Sequence, residues 1–252
     1  MFHPHALKIR KVDMEAPWRW LTAGWRDIMR VPAFSLGYGA VFSLIGYALT
    51  WGLLQESYFH FVLPLASGFM LLGPLFAVGL YDASRRLEMG DRPRLVDCCM
   101  ACRRNKGQIA LIGLALMLFM LVWVRVATLI YALFFVESAP VLDQFFLETL
   151  FSEKSLPFLI IGTLVGAVLA LVVFSVSVIS VPMLLDRNVD ALSAIMTSVR
   201  AVRENWQAMW GWGCLIVLFT GAGIVTFYIG LVVTLPLIGH ASWHAYRDLV
   251  PK

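Results

Sequence analysis

The sequence predicts an all-α membrane protein: six transmembrane helices arranged as three hairpin repeats, each preceded by a cytosolic amphipathic surface helix. Three observations predict it. The chain is 60% hydrophobic and 14% charged, with a mean hydropathy of +0.79, whereas soluble domains are about 45–50% apolar and about 25% charged. Several apolar runs reach the roughly 20 residues that cross a hydrocarbon core of about 30 Å. A pattern also recurs: Pro74 precedes Asp82 and Ala83, Pro182 precedes Asp190 and Ala191, and Pro236 precedes His244 and Ala245, at one spacing throughout.

Taken in order, residues 1–16 are polar, with Lys8, Arg10 and Lys11, and read as a flexible cytosolic N-terminus. The first long apolar run starts near Phe34, too deep for the short apolar region of a signal peptide. Residues 17–252 read as a single six-span membrane domain. Pro17 opens a surface helix whose apolar face is read as Trp18, Leu21, Trp25 and Ile28, with Arg19, Arg26 and Arg30 off it. Spans 1 and 2 cover about 36–54 and 59–81. Pro64 and Pro74 lie inside span 2, where proline removes a backbone donor and bends the helix. A basic stretch follows, with a second surface stripe of Leu95, Cys98, Cys99 and Cys102. Spans 3 and 4 cover about 108–136 and 156–185, long enough to tilt. Between them an acidic, Phe-rich segment reads as an external cap helix. Residues 190–203 give the third surface helix, where Leu192, Ile195, Val199 and Val202 repeat the spacing of Trp18, Leu21, Trp25 and Ile28. Spans 5 and 6 share the apolar stretch from Trp206 to Tyr246, with a turn near 227–230. The repeat units are about 17–86, 92–191 and 192–252.

Basic residues orient the chain, because cytosolic loops collect Lys and Arg. Of 20 such residues, only Lys154 falls in an outer loop and only Arg125 within a span once the N-terminus is placed inside. Both termini are therefore expected in the cytosol. The basic inner face is expected to meet anionic lipid headgroups of the bilayer, and nucleic acid is not needed to explain it. With Cys98, Cys99 and Cys102 on the inner side, the four cysteines do not form a disulfide framework.

The candidate site follows from the repeat. Eight residues of helix rise about 12 Å, so Asp82, Asp190 and His244 are expected at one depth, where they could converge on a pseudo-threefold axis and bind a cation or relay protons. Arg125, the one charge well inside a span, either snorkels toward Glu137 or Asp143 or faces Ser175, Ser177 or Ser180 in a polar cavity. His240 and His244 stand one turn apart on span 6, a spacing that suits a metal or haem, but no third ligand is near and the zinc-protease pattern is absent. A lone Cys99-x-x-Cys102 lacks the second pair of a zinc site. No metal or other cofactor is expected. No phosphate loop or nucleophile elbow is present, and the chain is not expected to be an enzyme.

Four strings then carry a family resemblance: APWRWLTAGWRDIMRVPAFSLGYGAVFSLIGY, GPLFAVGLYDASRRLEMG, VPMLLDRNVDA and GHASWHAYRDLV. They resemble a bacterial integral-membrane family, domain of unknown function 2189, over about residues 16–250. The resemblance implies a six-span, multi-pass protein of the bacterial inner (plasma) membrane and no particular chemistry. The expected role is non-enzymatic, a scaffold or accessory subunit of another membrane complex. The alternative is a small-solute or ion transporter or channel built on the pseudo-threefold site. A metal- or haem-binding membrane protein comes third.

Overall fold

Hydrocarbon offers a peptide group no hydrogen-bond partner, so segments this apolar satisfy their backbones internally as helices. The structure, a computed structural model, describes residues 8–55, 58, 61–94, 105–135 and 154–251. Among them are ten helices and no strand: α1 (Ala16–Arg30), α2 (Pro32–Gln55), α3 (Val62–Phe76), α4 (Val78–Glu88), α5 (Lys106–Phe135), α6 (Ser155–Ser177), α7 (Ser180–Asp186), α8 (Ala191–Glu204), α9 (Trp206–Val225) and α10 (Leu231–Leu249). The expected middle surface helix with Cys98, Cys99 and Cys102, and the acidic cap over 137–153, lie outside the described residues.

Among the described residues, five helical stretches are long and apolar enough to cross a membrane: Pro32–Gln55, Pro64–Glu88, Lys106–Phe135, Ser155–Asp186 and Trp206–Val225. The expected sixth, α10, is not among them. Its second half carries His240, Ser242, His244, Arg247 and Asp248, and that half is largely enclosed by protein. Here α10 is the hub of the fold, touching α1, α2, α4, α7 and α9. Away from this hub the long helices are apolar on the outside: Leu44 and Leu49 of α2, Leu121 and Leu133 of α5, and Leu164 and Val168 of α6 are all exposed.

Close approach to α10 is set by glycines of α1 and α2. A Cβ on Gly24 would stand 2.7 Å from the backbone nitrogen of Ala241, and one on Gly39 would overlap the Val232 carbonyl. That carbonyl lies four residues before Pro236, whose ring removes the N–H that would bond it. The freed oxygen instead presses on the backbone of α2, where only glycine leaves room. The α9–α10 turn is clamped by the same helix. Phe227 and Tyr228 both have positive φ, uncommon for residues with a side chain. Ser43 of α2 donates to the Tyr228 carbonyl at 2.7 Å, and the Tyr228 hydroxyl meets Thr50 at 2.7 Å.

Two breaks in the long helices are closed by hydroxyls from other elements. At the α6–α7 break, Ser198 of α8 sits between groups that an unbroken helix would join directly. Its hydroxyl donates to the Ser175 carbonyl at 2.7 Å and accepts from the Ile179 N–H at 3.2 Å. At the α3–α4 break, the Tyr38 hydroxyl donates to the Phe76 carbonyl at 2.7 Å.

The expected apolar faces are divided between the protein interior and the outside. α1 buries Trp20, Leu21, Gly24, Asp27 and Ile28, while Trp18 and Trp25 of its expected apolar face are 61% and 45% exposed. α8 buries Ala191, Ala194, Ser198 and Ala201 and exposes Leu192. In both helices small residues lie on the packed face, Gly24 in α1 and Ala191, Ala194, Ser198 and Ala201 in α8, and admit close backbone contact. Residues 8–15, expected as part of a flexible N-terminus, are tied down. Arg10 N–H donates to the Leu249 carbonyl at 2.9 Å, and Val12 N–H donates to the Asn205 side chain at 2.9 Å.

Candidate functional site: a buried polar junction

The interior carries one continuous chain of polar side chains, assembled from four helices. Asp27 of α1, Ser35 of α2, Ser84 of α4 and His240 of α10 are each no more than 3% exposed. Buried polar groups need partners, since an unmet donor or acceptor costs roughly 1–3 kcal/mol, and each of these has one. The Ser84 hydroxyl donates to Asp27 Oδ2 at 2.7 Å. His244 Nε2 lies 2.8 Å from the same oxygen. Ser84 Oγ is 2.7 Å from His240 Nδ1, and His240 Nε2 is 3.0 Å from Ser35 Oγ.

The proton positions follow from counting donors. A serine has one hydroxyl proton, and Ser84 gives its proton to the carboxylate. Ser84 must therefore accept from His240, so the His240 proton sits on Nδ1. The bare Nε2 then accepts from Ser35. All bonds point toward Asp27: Ser35 to His240, His240 to Ser84, Ser84 to Asp27, and His244 to Asp27. Arg30 Nη1 stands 3.8 Å from the other Asp27 oxygen. Burial raises the Asp27 carboxyl, but the hydrogen bonds from His244 and Ser84 outweigh it and hold the group below the ordinary carboxylate value. These directions do not match a hydrolase triad, in which an imidazole takes the serine proton. Both His240 nitrogens are occupied, by Ser84 of α4 and Ser35 of α2, whereas His244 reaches Asp27 of α1.

A second polar layer joins the chain ends to the helices. Asp248 accepts from the Trp20 indole at 3.1 Å and pairs with Arg10 at 3.3 Å. The Tyr246 hydroxyl donates to Asp186 and accepts from Arg187. Arg247 pairs with Glu88 at 3.0 Å.

The three residues singled out by the repeat have separate partners. Asp82 is fully buried, and Arg85 and Arg86 on its own helix take its two oxygens. Asp190 caps α8, accepting from the Ser193 N–H at 2.9 Å and the Ser193 hydroxyl at 2.7 Å. These bonds hold its carboxyl below the ordinary range. His244 belongs to Asp27. No hydrogen bond or ion pair joins any two of Asp82, Asp190 and His244. Arg125 is exposed on α5. Ser175 and Ser177 donate to carbonyls of α6, and Ser180 donates to the Val176 carbonyl. The residues that sequence reasoning missed are Asp27, Ser35 and Ser84. The one local signal was an acidic residue three positions after Gly24 on the face that packs.

Long apolar helices around a polar hub define a multi-pass integral membrane protein. Residues 62–186, from α3 to α7, match the family model DUF2189, described as a predicted integral membrane protein. Two of the four resembling strings, those at α1–α2 and at the end of α10, fall outside the match. No curated protein and no solved structure matches the chain.

Proposed function

We propose that this chain is a non-enzymatic scaffold or accessory subunit of a membrane complex, crossing the bacterial inner membrane six times with both termini cytosolic. The observation that carries the topology is the bond between the chain ends, Arg10 N–H to the Leu249 carbonyl. Chain ends on one side require an even number of crossings. Five stretches qualify by length and composition, and α10 is the returning sixth, its polar half shielded by α1, α2 and α4. The Lys and Arg bias places that end in the cytosol, where α1 turns Arg19, Arg26 and exposed Trp18 and Trp25 toward anionic lipid headgroups.

The scaffold role rests on how the buried polar groups are used. Asp27, Ser84, His240 and Ser35 fasten four helices together through their hydrogen bonds, and the Asp82 charge is taken up by arginines of its own helix. The exposed apolar faces of α5 and α6 are left for lipid or a partner. Native purification in mild detergent, with mass spectrometry of co-purifying proteins, tests this. A stoichiometric membrane partner is expected. A homogeneous protein that alone moves protons or a small solute across liposomes contradicts it and favours the second reading, an ion-handling protein. What supports that reading is the unbroken hydrogen-bonded chain from half-exposed His244 to buried Ser35. On that reading proton flux disappears in Asp27→Asn.

A further inference from the structure

The proline-bearing helices meet at one cavity. Pro74 of α3, Val178 at the α6–α7 break and Gly239 of α10 line a space of about 120 Å³, which Ile216 and Thr220 of α9 close on the remaining side. Val178 stands four residues before Pro182, and Met70, four before Pro74, also lines the space. Bent helices leave this gap where straight ones would pack together. The walls are mainly aliphatic and aromatic, and of the hydroxyls present Ser177 already donates to the Val173 carbonyl. Water needs two to four polar partners in such a place, so an apolar cavity of this kind stays dry. Left empty, its lining atoms lack dispersion partners on one side.

The surrounding medium supplies an occupant. The rim includes Val217, 57% exposed on α9, with half-buried Met70 and Ala170. Leu218 beside it and Leu171 on α6 are exposed as well, so the cavity opens on a lipid-facing surface. We propose that the cavity binds the end of an acyl chain from a surrounding lipid. Its volume fixes the size of what enters. It is somewhat smaller than the roughly 150 Å³ that admits benzene, and so it takes the last few carbons of one chain and excludes a headgroup.

The test uses the full chain in nanodiscs of phosphatidylcholine carrying a photoreactive diazirine at the chain terminus. After illumination, labelled residues are mapped by mass spectrometry. Label is expected on Val173 and Leu235 inside the cavity, as well as on exposed Leu121 and Leu164. In Ala170→Phe, which fills the space from its rim, the inner label is lost and the outer label stays. Ile216→Phe fills it from the opposite wall and serves if the first variant does not fold. Label confined to exposed residues in the unaltered protein overturns the proposal. So does inner label that persists in folded protein of both variants.

Discussion

The residue that most repays attention is Asp27, because three helices meet at its carboxylate. Replacing it with alanine leaves Ser84 and His244 facing a void. We expect Asp27→Ala to cost about 1–3 kcal/mol, the penalty for buried polar groups left unmet, read by thermal unfolding in detergent. The sign of its pH dependence follows from its lowered carboxyl. A group whose folded value is depressed stabilises the fold above its unfolded value, and that contribution is lost as pH falls through the folded value. The stability difference between the unaltered protein and Asp27→Asn should therefore be flat above about pH 5 and shrink below about pH 4, near the unperturbed carboxylate value. Ser198 offers a second test. Ser198→Ala reopens the ladder between the Ser175 carbonyl and the Ile179 N–H, both otherwise unpaired there, for about 1–3 kcal/mol. Thr197→Ala, next to it but only half-buried and with its hydroxyl on the Ser193 carbonyl of its own helix, should change stability by less than about 0.5 kcal/mol.

Among elements, the helices themselves were legible and their packing faces were not. Apolar runs and prolines located α1, α2, α5, α8, α9 and the α6–α7 stretch to within a few residues, since hydrogen bonding in hydrocarbon leaves few alternatives, but not the break after Ser177. The apolar stripes of α1 and α8 were legible, but not which of their residues meet protein and which stay outside. Next to lipid, Trp18, Trp25 and Leu192 lose nothing by facing outward, and Gly24, Ala194 and Ser198 gain close contact by facing inward. The polar junction was illegible for a different reason. Its bonds link Asp27 to Ser84 and His244 across 57 and 217 residues, and no local pattern records such a pairing. The proline spacing located bends and a cavity, while the polar residues eight positions later took unrelated partners. Glycine substitutions separate packing from propensity at this scale. Gly39→Ala forces a Cβ against the Val232 carbonyl and should destabilise the protein by about 1–3 kcal/mol, as overpacking does. Gly162→Ala, with no neighbouring atom within 4 Å, should be neutral or slightly stabilising because alanine is the better helix former.

At the scale of the whole molecule, the polar hub joins both chain ends and the apolar shafts extend away from it. Arg10, Asp248, Trp20 and Leu249 lie together, and only an even number of crossings brings them to one side. Whether α10 returns through the membrane decides the topology on which the proposed role stands. The most direct measurement is a pair of fusions after Lys252, one to a phosphatase active only outside the cytosol and one to a protein that fluoresces only inside it. Six crossings predict a fluorescent fusion and an inactive phosphatase. An active phosphatase with a dark fluorescent fusion would place the C-terminus outside and contradict the account.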